Sequence, residues 1–140
     1  DFRLKKEEAL RLRQYLTNGG FLFAEACCGR KGFDLAFRQQ MQAIFPEHPL
    51  AAIPGNNPVF ALPNKISSVG VTPALASQIG AQATRPDLEG IEIDGHYAVI
   101  YSRYGMAGGW EMAQSPYALG YDGPDSVLLG QDILMYAVTQ

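Results

Sequence analysis

FLFAEACCGRKGFD, residues 21–34, decides the fold. It opens as an apolar run from Phe21 to Ala26 and stops at the adjacent cysteines Cys27 and Cys28. It then passes through the basic, glycine-flanked turn Gly29-Arg30-Lys31-Gly32. The run does not alternate cleanly between apolar and polar residues, which predicts a strand covered on both faces of an α/β sheet. Upstream, Ala9, Leu12 and Leu16 recur at spacings of three and four, with Tyr15 beside them and charges opposite. That pattern predicts a helix from Leu4 to Asn18, ended by Gly19-Gly20 because glycine reaches the left-handed geometry of a helix exit. Downstream, Phe33, Phe37, Met41 and Ile44 step by four, four and three, with Asp34 and Arg38 off the stripe. A second helix is predicted from Phe33 to Phe45, and Pro46 ends it. Helix, strand and helix with tight connections make half of a doubly wound α/β unit.

Beyond Pro46 the pattern changes. Residues 46–89 carry seven prolines' worth of punctuation, from Pro46 through Pro86, and read as an irregular excursion, a lid or a wrapping segment. Pro58 to Leu62 and Ile66 to Val71 are candidate brief strands, and Ala74 to Ile79 a helical turn or two. Leu88 to Asp94 and Tyr97 to Arg103 predict a hairpin turning on Asp94-Gly95. A glycine- and aromatic-rich loop holding Tyr104, Trp110, Glu111, Tyr117 and Tyr121 follows. A closing helix, capped at Pro124-Asp125-Ser126, runs to Val138 with Leu129, Ile133 and Tyr136/Ala137 facing inward.

The totals narrow the function classes. With 140 residues, 47% of them hydrophobic and 18% charged, the chain can build one sizeable core and reads as a single domain over 1–140. Eleven basic residues against fourteen acidic leave a net charge of −3, and no basic patch interleaved with aromatics argues for nucleic acid. The charges near the N-terminus (Arg3, Lys5, Lys6, Arg11, Arg13) are interrupted by Glu7 and Glu8, as on a solvated helix face. No apolar run reaches the ~18 residues of a membrane span. Two adjacent cysteines cannot staple distant parts of the chain, so the compartment stays open.

LRQYLTNGGFLFAEACCGRKGFDLAFRQQM, DGHYAVIYS, GWE and the final LGQDILMYAVT together resemble the bacterial domain of unknown function 4159 family. The resemblance is good over the first and last thirds and loose between them. It implies a class I glutamine amidotransferase-like domain, a flavodoxin-like three-layer α/β/α sandwich whose first strands are expected to precede this chain. It also implies a piece of a longer bacterial protein, exported or membrane-tethered through other segments. One departure stands out: where the family carries Asp-His-Pro, this chain has Asn56-Asn57-Pro58, and His48 lies nearby in a different context.

In amidotransferase-like relatives a cysteine nucleophile sits on a strand-to-helix elbow. The turn pushes the thiol outward and the helix N-terminus lowers its pKa. The elbow wants small residues two before and two after the nucleophile. Cys27 has Gly29 behind it but Glu25 in front; Cys28 has Ala26 in front but Arg30 behind. No histidine occupies the SRYGMAGGWE loop, where such enzymes place their base, and His96 falls in the hairpin turn. A complete Cys-His-Glu set therefore cannot be written. The bland reading is a buried structural cysteine pair. A third reading is anion binding, since Gly29 to Gly32 lie between a strand's end and a helix N-terminus; the bland counterpart is a solvated turn with Arg30 paired to Glu111 or Asp34. Adjacent cysteines rarely ligate one zinc, and no metal or cofactor is expected.

The sequence thus predicts a non-catalytic amidotransferase-like module. It would bind a small ligand, with an anion as one candidate, or another domain of its parent protein, at the strand C-terminal edge. There Cys27, Cys28, Arg30, Trp110 and Glu111 are expected to converge, with the cysteine turn capping a central strand. The competing expectation is a thiol-dependent hydrolase or amidotransferase with Cys27 as nucleophile and Glu111 as orienting acid. A third is a structural interaction domain with no pocket.

Overall fold

The periodicities of the first third become the elements they predict. In the computed structural model, which describes residues 2–26, 29–106 and 117–140, helix α1 spans Lys6–Thr17, strand β1 Leu22–Glu25 and helix α2 Lys31–Ile44. The Glu8 carboxylate accepts from the Lys5 backbone N–H at 2.9 Å, satisfying an amide at the start of α1. Gly19, at φ 98°, supplies the left-handed exit. Helix α2 begins two residues earlier than its apolar stripe indicates, with Arg30 at its N-cap. Gly32 is thus helical, and only Gly29 and Arg30 separate Cys28 from the first helical residue. Leu16, Phe37, Met41 and Ile44 form the buried stripe of the two helices.

The hairpin forms as Asp94-Gly95 dictates. Both residues have positive φ, 53° and 84°, the type I′ geometry that matches strand twist. It joins β5 (Leu88–Ile93) to β6 (His96–Ser102). Strand β6 pairs antiparallel with β5 and parallel with β1, and the two-residue β2 (Ala51–Ala52) adds antiparallel to β5. The resulting order is β1-β6-β5-β2, a mixed sheet of four strands. Among the described strands β1 stands at one end of the order, with β6 beside it and the hairpin partner β5 on the other side of β6.

The excursion at 46–89 packs instead of hanging free. It contains a 3₁₀ turn at Pro58–Phe60, β3 (Val69–Gly70), helix α3 (Pro73–Ile79) and β4 (Ala83–Thr84), with β3 and β4 paired as a separate small sheet. The expected brief strand at 58–62 is thus a 3₁₀ turn, because Pro58 follows the capping Asn57, whose side chain accepts from the Val59 N–H. Val59, Phe60, Ile66 and Val69 are buried against Leu129, Ile133 and Tyr136 of the closing helix α4 (Gly123–Thr139). Asp122 caps α4 by accepting from the Asp125 N–H at 3.1 Å, two residues before the cap the sequence suggested. The sheet is covered on both faces. Leu88 and Ile100 belong to the core with α4 and the excursion, while Ile91, Val99 and Tyr101 belong to the core with α1 and α2.

Candidate functional site

Strands β1 and β6 run parallel with Glu25 opposite Ser102, so they end side by side at one edge of the sheet. The Ala26 N–H continues the ladder to the Ser102 carbonyl at 3.0 Å, and the Gly29 N–H closes a turn onto the Ala26 carbonyl at 2.8 Å. Just past β6, the Met106 N–H donates to Glu25 Oε2 at 2.5 Å. Gly105 N–H donates to the Leu119 carbonyl at 3.0 Å, and Tyr121 N–H returns to the Gly105 carbonyl at 3.1 Å. Gly29 closes the circle: at φ 71° it lies so near Leu119 that a Cβ would stand 2.5 Å from the Leu119 Cβ. The residues on either side of 27–28 and of 107–116 therefore meet at one sheet edge, where open α/β sheets place ligands.

Of the residues the sequence singled out, Cys27, Cys28, Trp110 and Glu111 lie outside the described residues. Arg30 is described, and it stands exposed at the α2 N-cap. Asp34, one of its expected partners, is engaged elsewhere. Arg38 reaches both Asp34 oxygens from Nε at 3.1 Å, and forks onto Glu89 at 2.8 and 2.6 Å. The Tyr101 hydroxyl donates to Asp34 Oδ1 at 2.7 Å, and the Arg38 guanidinium lies over the Tyr101 ring.

This network sets the titration of its members. Burial alone would raise the Asp34 carboxyl, but hydrogen bonds from Arg38 and Tyr101, with the charges of Arg38 and Arg103, hold it below its ordinary value. Tyr101 goes up through burial and through its bond to Asp34. Asp87, one residue before β5, is pushed up by burial and then by Glu89, with Arg103 and Arg38 pulling the other way. The i, i+4 spacing of Asp34 and Arg38 is the local signal that could have joined them, whereas the sequence reading offered Asp34 to Arg30. Glu89 and Asp87 carried no local signal, since only the fold brings them to α2.

Both histidines of the chain lie elsewhere. His96 starts β6, about 20 Å along the strand from Ser102 at the usual rise. His48 follows α2 and lines a cavity of about 250 Å³ with Glu92 and Tyr97, residues at that same far end. A larger cavity of about 510 Å³ lies between β1 and α4, lined by Phe21, Phe23, Val127, Gly130, Leu134 and neighbours, with Gln131 as its one polar side chain. Among the described residues no group of three or more His, Cys, Asp or Glu side chains could hold a metal ion. None of their helices is long and apolar enough to cross a membrane.

Fold and edge define a mixed α/β domain with polar groups gathered at the strand ends. The chain belongs to the family described as Domain of unknown function (DUF4159), whose model matches residues 1–138, nearly the whole chain. Comparison with curated proteins finds no match.

Proposed function

We propose that this chain is a non-catalytic module of the class I glutamine amidotransferase-like type, with a flavodoxin-like plan, from a bacterial protein. It binds a small ligand, or another domain of its parent protein, where β1 and β6 end. The observation that carries the reading is the distance of His48 and His96 from that edge. A thiolate at Cys27 needs a base within hydrogen-bond reach, and the chain's two histidines are both at the opposite end of β6. Binding is supported by the convergence of Ala26, Gly29, Met106 and Leu119. It is supported also by the cationic Arg30 and Lys31 at the start of α2, whose N-terminal amides favour negative charge.

The test has two arms. Alkylation of Cys27 and Cys28 by iodoacetamide across pH should report an ordinary thiol titrating near ~8.5. A thiolate half-formed well below pH 7 would overturn the non-catalytic reading in favour of a thiol hydrolase or amidotransferase with Cys27 as nucleophile and Glu111 as its orienting acid. Titration with inorganic phosphate should shift the amide resonances of residues 29–32, and Arg30→Ala should weaken that binding. Resonances that stay fixed at saturating phosphate would remove the anion-binding edge.

A further inference from the structure

Asp87 and Arg103 stand one position beyond the Leu88–Ser102 pair that ends the β5–β6 ladder. Opposite charges facing each other across a ladder ordinarily join. These two do not: neither takes part in any of the ion pairs among the described residues, which are Arg13–Glu47, Arg38–Asp34 and Arg38–Glu89. The Arg103 guanidinium is laid over the Tyr104 ring, 5.0 Å from its centroid. Asp87 uses its backbone N–H on the Tyr121 hydroxyl at 2.8 Å, while its half-buried carboxylate is left without a donor among the described residues.

The surroundings explain why neither neutralises the other's neighbours. Three of the five Arg38 N–H donors go to Glu89 and Asp34, and none of its hydrogen bonds among the described residues reaches Asp87. Counting Asp34, Glu89 and Asp87 against Arg38 and Arg103, this corner carries one net negative charge. A bare anion approaching Arg103 is therefore opposed, and a bare cation at Asp87 meets Arg103. A molecule carrying both charges satisfies both groups.

Resting on the strand-end reading above, we infer that Asp87 and Arg103 form a subsite for a small zwitterion. Asp87 takes its ammonium group and Arg103 its anionic group, with the Tyr104 ring supporting the arginine. The raised Asp87 carboxyl fits this arrangement, since an ammonium partner supplies the positive charge it lacks.

The experiment is an NMR-detected titration with glycine, β-alanine and γ-aminobutyrate, set beside acetate and methylammonium. It is repeated on Asp87→Asn and Arg103→Gln, whose thermal melting reports that each still folds. At least one zwitterion should bind about tenfold more tightly than either half-ligand, moving residues 87, 103 and 104, and each substitution should weaken it by about tenfold. Acetate binding as tightly as every zwitterion, or Asp87→Asn leaving zwitterion binding unchanged, overturns the subsite. If phosphate binding depends on Arg30 while no zwitterion is preferred, this inference fails and the strand-end reading stands. If no probe of either kind binds, this inference and the anion-binding edge both fall.

Discussion

Asp132 shows how much one side chain can cost and still be kept. It is fully buried on α4, and Oδ1 accepts from both the backbone and the side chain of Asn64 at 2.9 and 3.0 Å. Among the described residues nothing donates to Oδ2. Burial pushes this carboxyl up, and the two Asn64 bonds only partly offset it. The folded chain therefore holds a proton that the unfolded chain releases near the ordinary Asp value. Stability from this site is full below that value and declines as pH rises through the folded one. Asp132→Asn keeps an acceptor for Asn64 and removes the charge. Its melting temperature relative to the parent should become more favourable from pH 4 to pH 8; a difference flat with pH would show that no strained charge resides there. Asp34 has the opposite sign, since its stability is present above the unfolded value and lost in acid. The chain alone could not distinguish these two aspartates: Arg38 lies one turn from Asp34, but Tyr101, Asn64 and the burial come from residues far along it.

At the scale of elements, the helices and the hairpin were legible and the caps were not. Spacing of Leu16, Phe37 and Met41 sufficed for α1 and α2, and Asp94-Gly95 sufficed for the turn. The α4 cap fell instead to Asp122, ahead of the Pro124-Asp125-Ser126 cap expected from the sequence. Asp122 has company there. Its backbone N–H donates to the Gly70 carbonyl at 2.9 Å, while Asp125 accepts from the Gly70 N–H at 2.7 Å. A Cβ at Gly70 would overlap the Asp122 carboxylate, so the glycine is what lets β3 reach the helix end. Asp122→Ala should cost about 1 kcal/mol from the cap alone, read by urea unfolding. A loss below about 0.3 kcal/mol would mean water replaces the cap without penalty.

For the whole molecule, the lesson concerns the proline-rich middle. Its irregularity hid that it supplies half of one core, since Val59, Phe60, Ile66 and Val69 are each too isolated in sequence to show a period. Phe60→Ala should therefore cost roughly 3–5 kcal/mol, as for a buried core aromatic, and not the small loss of a loop position. Urea unfolding that shows under about 1 kcal/mol would return the segment to the status of a detachable lid. The candidate site divides the same way. Arg30 and Lys31 before the second helix were readable from local order, while Asp87, Glu89 and Arg103 were not, because the hairpin sets them beside α2 only after it has paired.

That pairing has a consequence for synthesis. Among the described strands β1 pairs with β6, Leu22 opposite Val99, so this pair cannot close until the chain has been made as far as β6. Ile91, Ala98, Val99 and Tyr101, which share a core with Phe37 and Met41, also come from that later part of the chain. The strand-end corner therefore takes shape only once residues 96–102 lie beside β1.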